Sequence, residues 1–183
     1  MMGKKLRFGI ISFAHIHAWS YARVLKEIEE AELVAIYDDD KDRLNEAAQR
    51  YGVKDTYTDY TQLLKREDID AVIITSENAK HVDQAIAAAE AGKHILCEKP
   101  IATTLEDADK MAHAVKNAKV KFQTAFGIIY HSATLHAKKL IESKELGELL
   151  AITSTNHGKY PGLWFAEPEL SGGGAIMDHT CLL

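Results

Sequence analysis

From Leu6 to about residue 125, short apolar runs alternate with stretches whose apolar residues recur at helical spacing. Leu6–Ile11, Leu33–Tyr37, Ala71–Thr75, His94–Cys97 and Val120–Ala125 read as strands. Between them come helix stripes, such as Ala18, Ala22, Leu25 and Ile28, then Leu44, Ala47, Ala48 and Tyr51 closed by Gly52. Tyr60, Leu63 and Leu64 mark a short helix, and Val82, Ala85, Ile86 and Ala89 a longer one. Thr103-x-x-Glu106 predicts a capping box before the stripe Ala108, Met111, Ala112 and Val115. Ala71–Thr75 is apolar throughout, as in a strand covered on both faces. The β/α repetition predicts a parallel sheet with helices on both sides, and right-handed crossovers then favour a doubly wound α/β fold.

Beyond residue 125 the rhythm changes. His131–Glu142 reads as a helix and Leu149–Thr155 as a strand of alternating polarity. A loop with Pro161, Gly162 and Pro168 leads to Ser171-Gly172-Gly173-Gly174, and Ala175–Leu183 reads as the start of a helix. One helix, one strand and a helix start cannot cover their own apolar faces. The expected organisation is therefore one complete domain over residues 1–122 and the incomplete start of a second, α/β domain over 123–183. Leu140, Ile141, Leu149, Leu150 and Ile152 would leave apolar surface and a free strand edge, which predicts a homo-oligomer.

Bulk properties exclude several classes. Acidic and basic residues are mixed along the chain, the net charge is −5, and no basic block appears, which argues against nucleic acid as a partner. No apolar run approaches the ~18 residues of a membrane helix. The start, Lys4-Lys5-Leu6-Arg7 followed by Phe8–Ala14, faintly resembles a signal peptide. His15 and His17 interrupt it, and a buried first strand is the better reading. Cys97 and Cys181 lie far apart in apolar surroundings, as expected for reduced thiols in a cytoplasmic protein.

Glu98-Lys99-Pro100 follows the strand His94–Cys97. Open α/β sheets bind ligands at the carboxyl ends of their strands, so Lys99 is aimed at a crevice, on backbone restricted by Pro100. At the end of the first strand, His15-x-His17 has the spacing of two metal ligands on one side of an extended segment.

The motifs together resemble the glucose–fructose oxidoreductase / inositol dehydrogenase / rhizopine-catabolism (Gfo/Idh/MocA) family. The matching stretches are Ile69–Ile74, Asn78 with His81, Glu90–Ala102 through Glu98-Lys99-Pro100, Leu146-Gly147-Glu148, and Gly172–Asp178. The resemblance implies an NAD(P)-binding Rossmann domain and an oxidoreductase acting on sugars, polyols or related compounds. It also implies a C-terminal α/β domain supplying most of the substrate pocket. By resemblance, Lys99 binds the nicotinamide ribose and the reacting hydroxyl, Glu98 orients that neighbourhood, and Asn78 and His81 line the ribose–nicotinamide side. His81 alternatively caps or packs beneath its helix. Asp178 matches the family aspartate after the glycine turn. The family's acid/base histidine falls at Leu182, leaving His179 as its substitute or as pocket wall, so little turnover is expected of the 183-residue chain itself.

The family's Gly-x-Gly-x-x-Gly turn reads Ser12-Phe13-Ala14-His15-Ile16-His17 here, with all three glycines replaced. Ser12, His15 and His17 would hold phosphate oxygens beside the helix N-terminus, while Ala14 adds a methyl group where the backbone should approach the pyrophosphate. Asp38 is expected on the adenosine ribose. Asp39 would repel a 2′-phosphate, so NAD is expected in preference to NADP. Tyr130, His131, His157, Tyr160 and Trp164 line a sugar pocket or simply pack.

Two other readings stand beside this one. The lost glycines, Leu182 and the incomplete second domain suit a non-catalytic nucleotide-binding or interaction module. His15-x-His17 suits a metal-dependent hydrolase, which requires a barrel of about 250 residues. The principal reading assigns no metal ligand.

Overall fold

A computed structural model describes residues 4–158, 162–174 and 177–178. Six parallel strands form one open sheet in the order β3-β2-β1-β4-β5-β6. They are β1 Leu6–Ile11, β2 Ala31–Tyr37, β3 Asp55–Tyr57, β4 Ala71–Ile74, β5 His94–Cys97 and β6 Phe122–Thr124. The helices are α1 His17–Glu27, α2 Lys41–Tyr51, α3 Tyr60–Leu64, α4 His81–Glu90, α5 Leu105–Ala118, α6 Ser132–Glu142 and α7 Pro168–Ser171. This is the doubly wound Rossmann topology, with the direction of winding reversing between β1 and β4.

The alternation of strand side chains builds two cores. On one face Ile10, Ile36 and Ile73 meet Ala18, Ala22 and Leu25 of α1 and Leu44 and Ala47 of α2. On the other, Ile11, Val72 and Ile74 meet Leu63 and Leu64 of α3, Ala85, Ala88 and Ala89 of α4, and Met111 of α5. Each large aliphatic side chain removed from water contributes about 1.5–3 kcal/mol. Gly9 lies where α3 approaches β1, and a Cβ there would stand 2.8 Å from Leu63 Cδ2. α2 begins at Asp40, whose carboxylate accepts the N–H groups of Asp42 and Arg43.

Three local expectations are corrected. α5 is capped by Thr104, one residue later than the Thr103 box, because Thr104 Oγ1 accepts the Asp107 N–H at 3.1 Å. β6 has three residues rather than six. Leu149–Thr155 forms no strand; among the described residues no ladder receives it, so its alternating pattern has nothing to pair with, and Leu150 and Ile152 are exposed. The C-terminal helix start is described only at Gly174, Met177 and Asp178.

Candidate functional site

The carboxyl ends of β1, β2, β4 and β5 meet where the sheet reverses its winding. The β1–α1 loop holds Ser12 at φ +75°, the left-handed backbone that a glycine provides in the Gly-x-Gly-x-x-Gly turn. The loop satisfies most of its own donors. Ser12 N–H donates to Tyr37 O, Phe13 N–H to Asp38 Oδ2 (2.6 Å), and His15 N–H to Thr75 O. Side chains take two more: Ala14 N–H donates to Ser12 Oγ and His17 N–H to His15 Nδ1, each at 3.1 Å. The turn thus keeps one left-handed residue of the glycine version, and Ser12 Oγ and His15 Nδ1 occupy the Ala14 and His17 N–H groups.

Asp38 is fully buried and fully engaged. Besides the Phe13 N–H it accepts from Asp40 N–H at 2.8 Å and from Arg43 Nη2 at 2.8 Å and Nε at 3.2 Å. Burial pushes its carboxyl above the usual carboxylate value, against these hydrogen bonds. The carboxylate expected on a ribose thus anchors the loop, with Arg43 beside it. Asp39 is half-exposed and paired with Lys80 (2.7 Å) and Arg43 (3.1 Å). Its charge is therefore partly compensated, which softens the expected repulsion of a 2′-phosphate.

Glu98, buried at the end of β5, gathers the next cluster. Its Oε1 accepts from Tyr21 OH at 2.6 Å and from His17 Nδ1 at 2.8 Å, and Oε2 accepts the Lys99 N–H at 3.0 Å. Burial alone would raise its carboxyl; the His17 and Tyr21 hydrogen bonds hold it below the ordinary range. His15 is buried against Phe165 and Trp164, with its ring 4.3 Å from that of His17. Burial lowers its pKa to about 4.

Residues after Gly162 fold back over this edge. Trp164 Nε1 donates to Ala14 O at 3.2 Å and its ring stacks on Phe165. Asn78 Nδ2 donates to Ser171 O at 2.8 Å. Lys99 Nζ donates to Asp178 Oδ1 at 2.6 Å and to Asp178 O at 3.1 Å. Gly172, at φ +75°, touches Thr103 so closely that a Cβ would stand 2.2 Å from Thr103 Cγ2.

The site residues expected from sequence divide accordingly. Ser12, Ala14, His15, His17, Glu98, Lys99 and Asp178 come together at one edge. Asn78 joins them through its backbone partner Ser171. His81 does not face the crevice: it is fully buried, with Nδ1 2.8 Å from Pro100 O and Nε2 3.1 Å from Ser76 O. Burial lowers its pKa; a neutral ring donates to one of these carbonyls, and the shorter contact marks Pro100. Trp164 packs under the loop, His157, Tyr130 and His131 are exposed, and His179 and Tyr160 lie outside the described residues. Sequence reasoning missed Tyr21, Arg43 and Lys80. Tyr21 lies four residues after His17, the same-face spacing of a helix, and Arg43 lies in the first turn of the helix that follows Asp38. The open sheet also removes the barrel required by a metal-dependent hydrolase.

Comparison with known proteins matches this architecture. Residues 6–126 match the family model described as "Oxidoreductase family, NAD-binding Rossmann fold", and residues 134–182 match the "GFO/IDH/MocA C-terminal domain". A myo-inositol 2-dehydrogenase of Thermotoga maritima is 34% identical over 96% of this chain and 52% of its own length. The crystal structure of myo-inositol 2-dehydrogenase from Lactobacillus plantarum superposes with a TM-score of 0.75 at 31% identity, over 80% of this chain and 44% of that one. Scyllo-inositol dehydrogenase from Lactobacillus casei, solved with bound NAD(H) and scyllo-inositol, gives 0.75 at 27% identity, over 79% and 43%. The chain spans about half the length of the curated relatives it matches. From its first strand through Lys99 to the glycine turn before Asp178, the chain belongs to the Gfo/Idh/MocA family of oxidoreductases with an NAD-binding Rossmann fold.

Proposed function

We propose that this chain supplies the nucleotide-binding part of an NAD-dependent dehydrogenase that moves a hydride between nicotinamide and a hydroxyl or carbonyl carbon of a sugar or polyol. The Lys99–Asp178 pair carries the reading. A nearly buried ammonium stands at the end of β5, beside the reversal of winding, held at 2.6 Å by a carboxylate from the returning segment. The inositol dehydrogenases among the relatives support a polyol ring as the substrate class.

The bound dinucleotide supplies the hydride carrier. Lys99 donates to the reacting oxygen and favours its alkoxide character as charge develops. Asp178 holds Lys99 and accepts from a substrate hydroxyl. His179, next in the chain, takes the hydroxyl proton. Asn78 and His81 act from beneath, by fixing Ser171 and Pro100. NAD is preferred to NADP because Asp38 and Asp39 put two carboxylates at the end of β2, a repulsion of the 2′-phosphate that Arg43 and Lys80 reduce without removing. The substrate pocket is completed by a second domain beginning near residue 123. The exposed Leu135, Ile141, Leu149 and Leu150 support a homo-oligomer, and the free, buried Cys97 fits a cytoplasmic location.

The β1–α1 loop, whose N–H groups are taken by its own side chains and by the ends of β2 and β4, favours a second reading, a non-catalytic nucleotide-responsive module. Turnover separates the two. With NAD and a panel of inositols and aldoses, the full-length protein shows activity, and Lys99→Ala lowers kcat by about 10²–10³-fold while NADH titration is little changed. Near-normal activity of that variant would remove Lys99 from the reaction, and tighter binding of NADP than NAD would refute the charge argument.

A further inference from the structure

Glu98 is a carboxylate with no exposed surface, and the cation next to it in sequence turns away: Lys99 Nζ goes to Asp178. The imidazole hydrogen-bonded to Glu98 Oε1 is that of His17, through Nδ1. The second imidazole, His15, is a neutral ring on geometric grounds, because Nδ1 accepts the His17 N–H and an imidazolium has no lone pair to accept with. One ring nitrogen from each histidine and one Glu98 oxygen all lie within 4.8 Å of one another.

We propose that His15, His17 and Glu98 form a binding site for a divalent transition cation of the zinc class. Two imidazoles and one carboxylate are a donor set suited to such ions, with a fourth position left for water or a ligand oxygen. The cation replaces the proton between His17 Nδ1 and Glu98 Oε1, which are 2.8 Å apart. Neighbouring ligands on a tetrahedral zinc stand about 3.3 Å apart, so this pair opens slightly. His17 then carries its proton on Nε2, so no proton is lost from the site. His15 contributes the Nδ1 lone pair that otherwise accepts the His17 N–H. The remaining ligand spacing closes from up to 4.8 Å by movement of His17, whose side chain is half-exposed.

The surroundings suit a metal more than a chance cluster. Glu98 is fixed at a strand end, and Tyr21 OH holds its oxygen from outside the ligand set. His15 is packed by Phe165 and Trp164. The site rests on neither nucleotide binding nor turnover, and it lies in an open Rossmann sheet, apart from any barrel-type hydrolase.

The experiment is calorimetric titration of the chelator-stripped full chain with Zn²⁺, paired with the visible spectrum after Co²⁺ loading. The expected result is one saturable ion per chain, with the intense absorption of four-coordinate Co²⁺. His17→Ala weakens binding at least about 100-fold, and Tyr21→Phe about 10-fold. Replacing the exposed His113 and His136 together leaves stoichiometry and affinity unchanged, which excludes chance binding by those two surface histidines. Glu98→Gln abolishes the spectrum; should that variant misfold by circular dichroism, the surface change at His17 still decides. Failure to saturate, or equal affinity in the parent and His17→Ala, overturns the site.

Discussion

Gly172→Ala tests how the returning segment closes over the crevice. Two costs follow from the structure. At φ +75°, an L-residue occupies the left-handed region at about 1–2 kcal/mol. The added methyl also stands 2.2 Å from Thr103 Cγ2 and 2.5 Å from Thr103 Cβ, and relieving such an overlap typically costs about 1–3 kcal/mol. The sum, about 2–5 kcal/mol, falls on the α7 segment, whose ties to the sheet include Asn78–Ser171 and Lys99–Asp178. Hydrogen exchange should therefore show loss of protection over residues 164–174, with β1, β4 and β5 unchanged. The cost divides by a double-mutant cycle. Thr103→Gly removes both overlapping atoms and leaves the nearest backbone atom, Thr103 Cα, at 3.4 Å. In Gly172→Ala/Thr103→Gly the steric part vanishes, and the left-handed cost of about 1–2 kcal/mol remains. A single variant that protects the segment like the parent, or a cycle with no coupling, would refute the packing of Gly172 on Thr103.

Two further perturbations probe the buried charges. His15 has its folded-state pKa lowered from 6.5 to about 4, so its contribution is complete above 6.5 and is lost as pH falls toward 4. At about 1.4 kcal/mol per pH unit this removes about 3 kcal/mol, read as urea midpoints at pH 7, 5 and 4 with chelator present. His15→Gln should flatten that dependence, and an unchanged slope would reassign it. Arg43→Ala leaves Asp38 buried with two backbone N–H groups and the Ser12 hydroxyl, and should cost about 1–3 kcal/mol at unchanged m-value, below the cost for a wholly buried pair because Arg43 is part-exposed. A loss under half a kcal/mol would mean that the pair is not formed in solution.

The sheet was legible because its signals are local. Ile10 and Ile11, and Val72, Ile73 and Ile74, are consecutive apolar residues that divide between the two cores, the mark of strands covered on both faces. Lys99 was legible because strand ends in this topology face a crevice. Asp38 follows β2 as the pattern predicts, and its occupation by Arg43 was not foreseen, since a sequence shows which groups are near and not which of them satisfy each other. Leu149–Thr155 carries a strand's pattern without a ladder to join, and pattern alone cannot supply one. His81 reads as a site residue until both ring nitrogens are found against backbone carbonyls.

The β1–α1 loop has one more consequence. Ser12 Oγ and His15 Nδ1 accept the Ala14 and His17 N–H groups at the start of α1, where a helix N-terminus offers donors to an anion, so the chain carries its own tethered acceptors there. A tethered group acts at high effective concentration and weakens an incoming competitor by a constant factor without altering the shape of the pocket. An anion that takes these N–H groups has to displace two side chains first, so Ser12 and His15 are expected to lower its affinity. Ser12→Gly removes one tethered acceptor and relieves the left-handed strain in a single change.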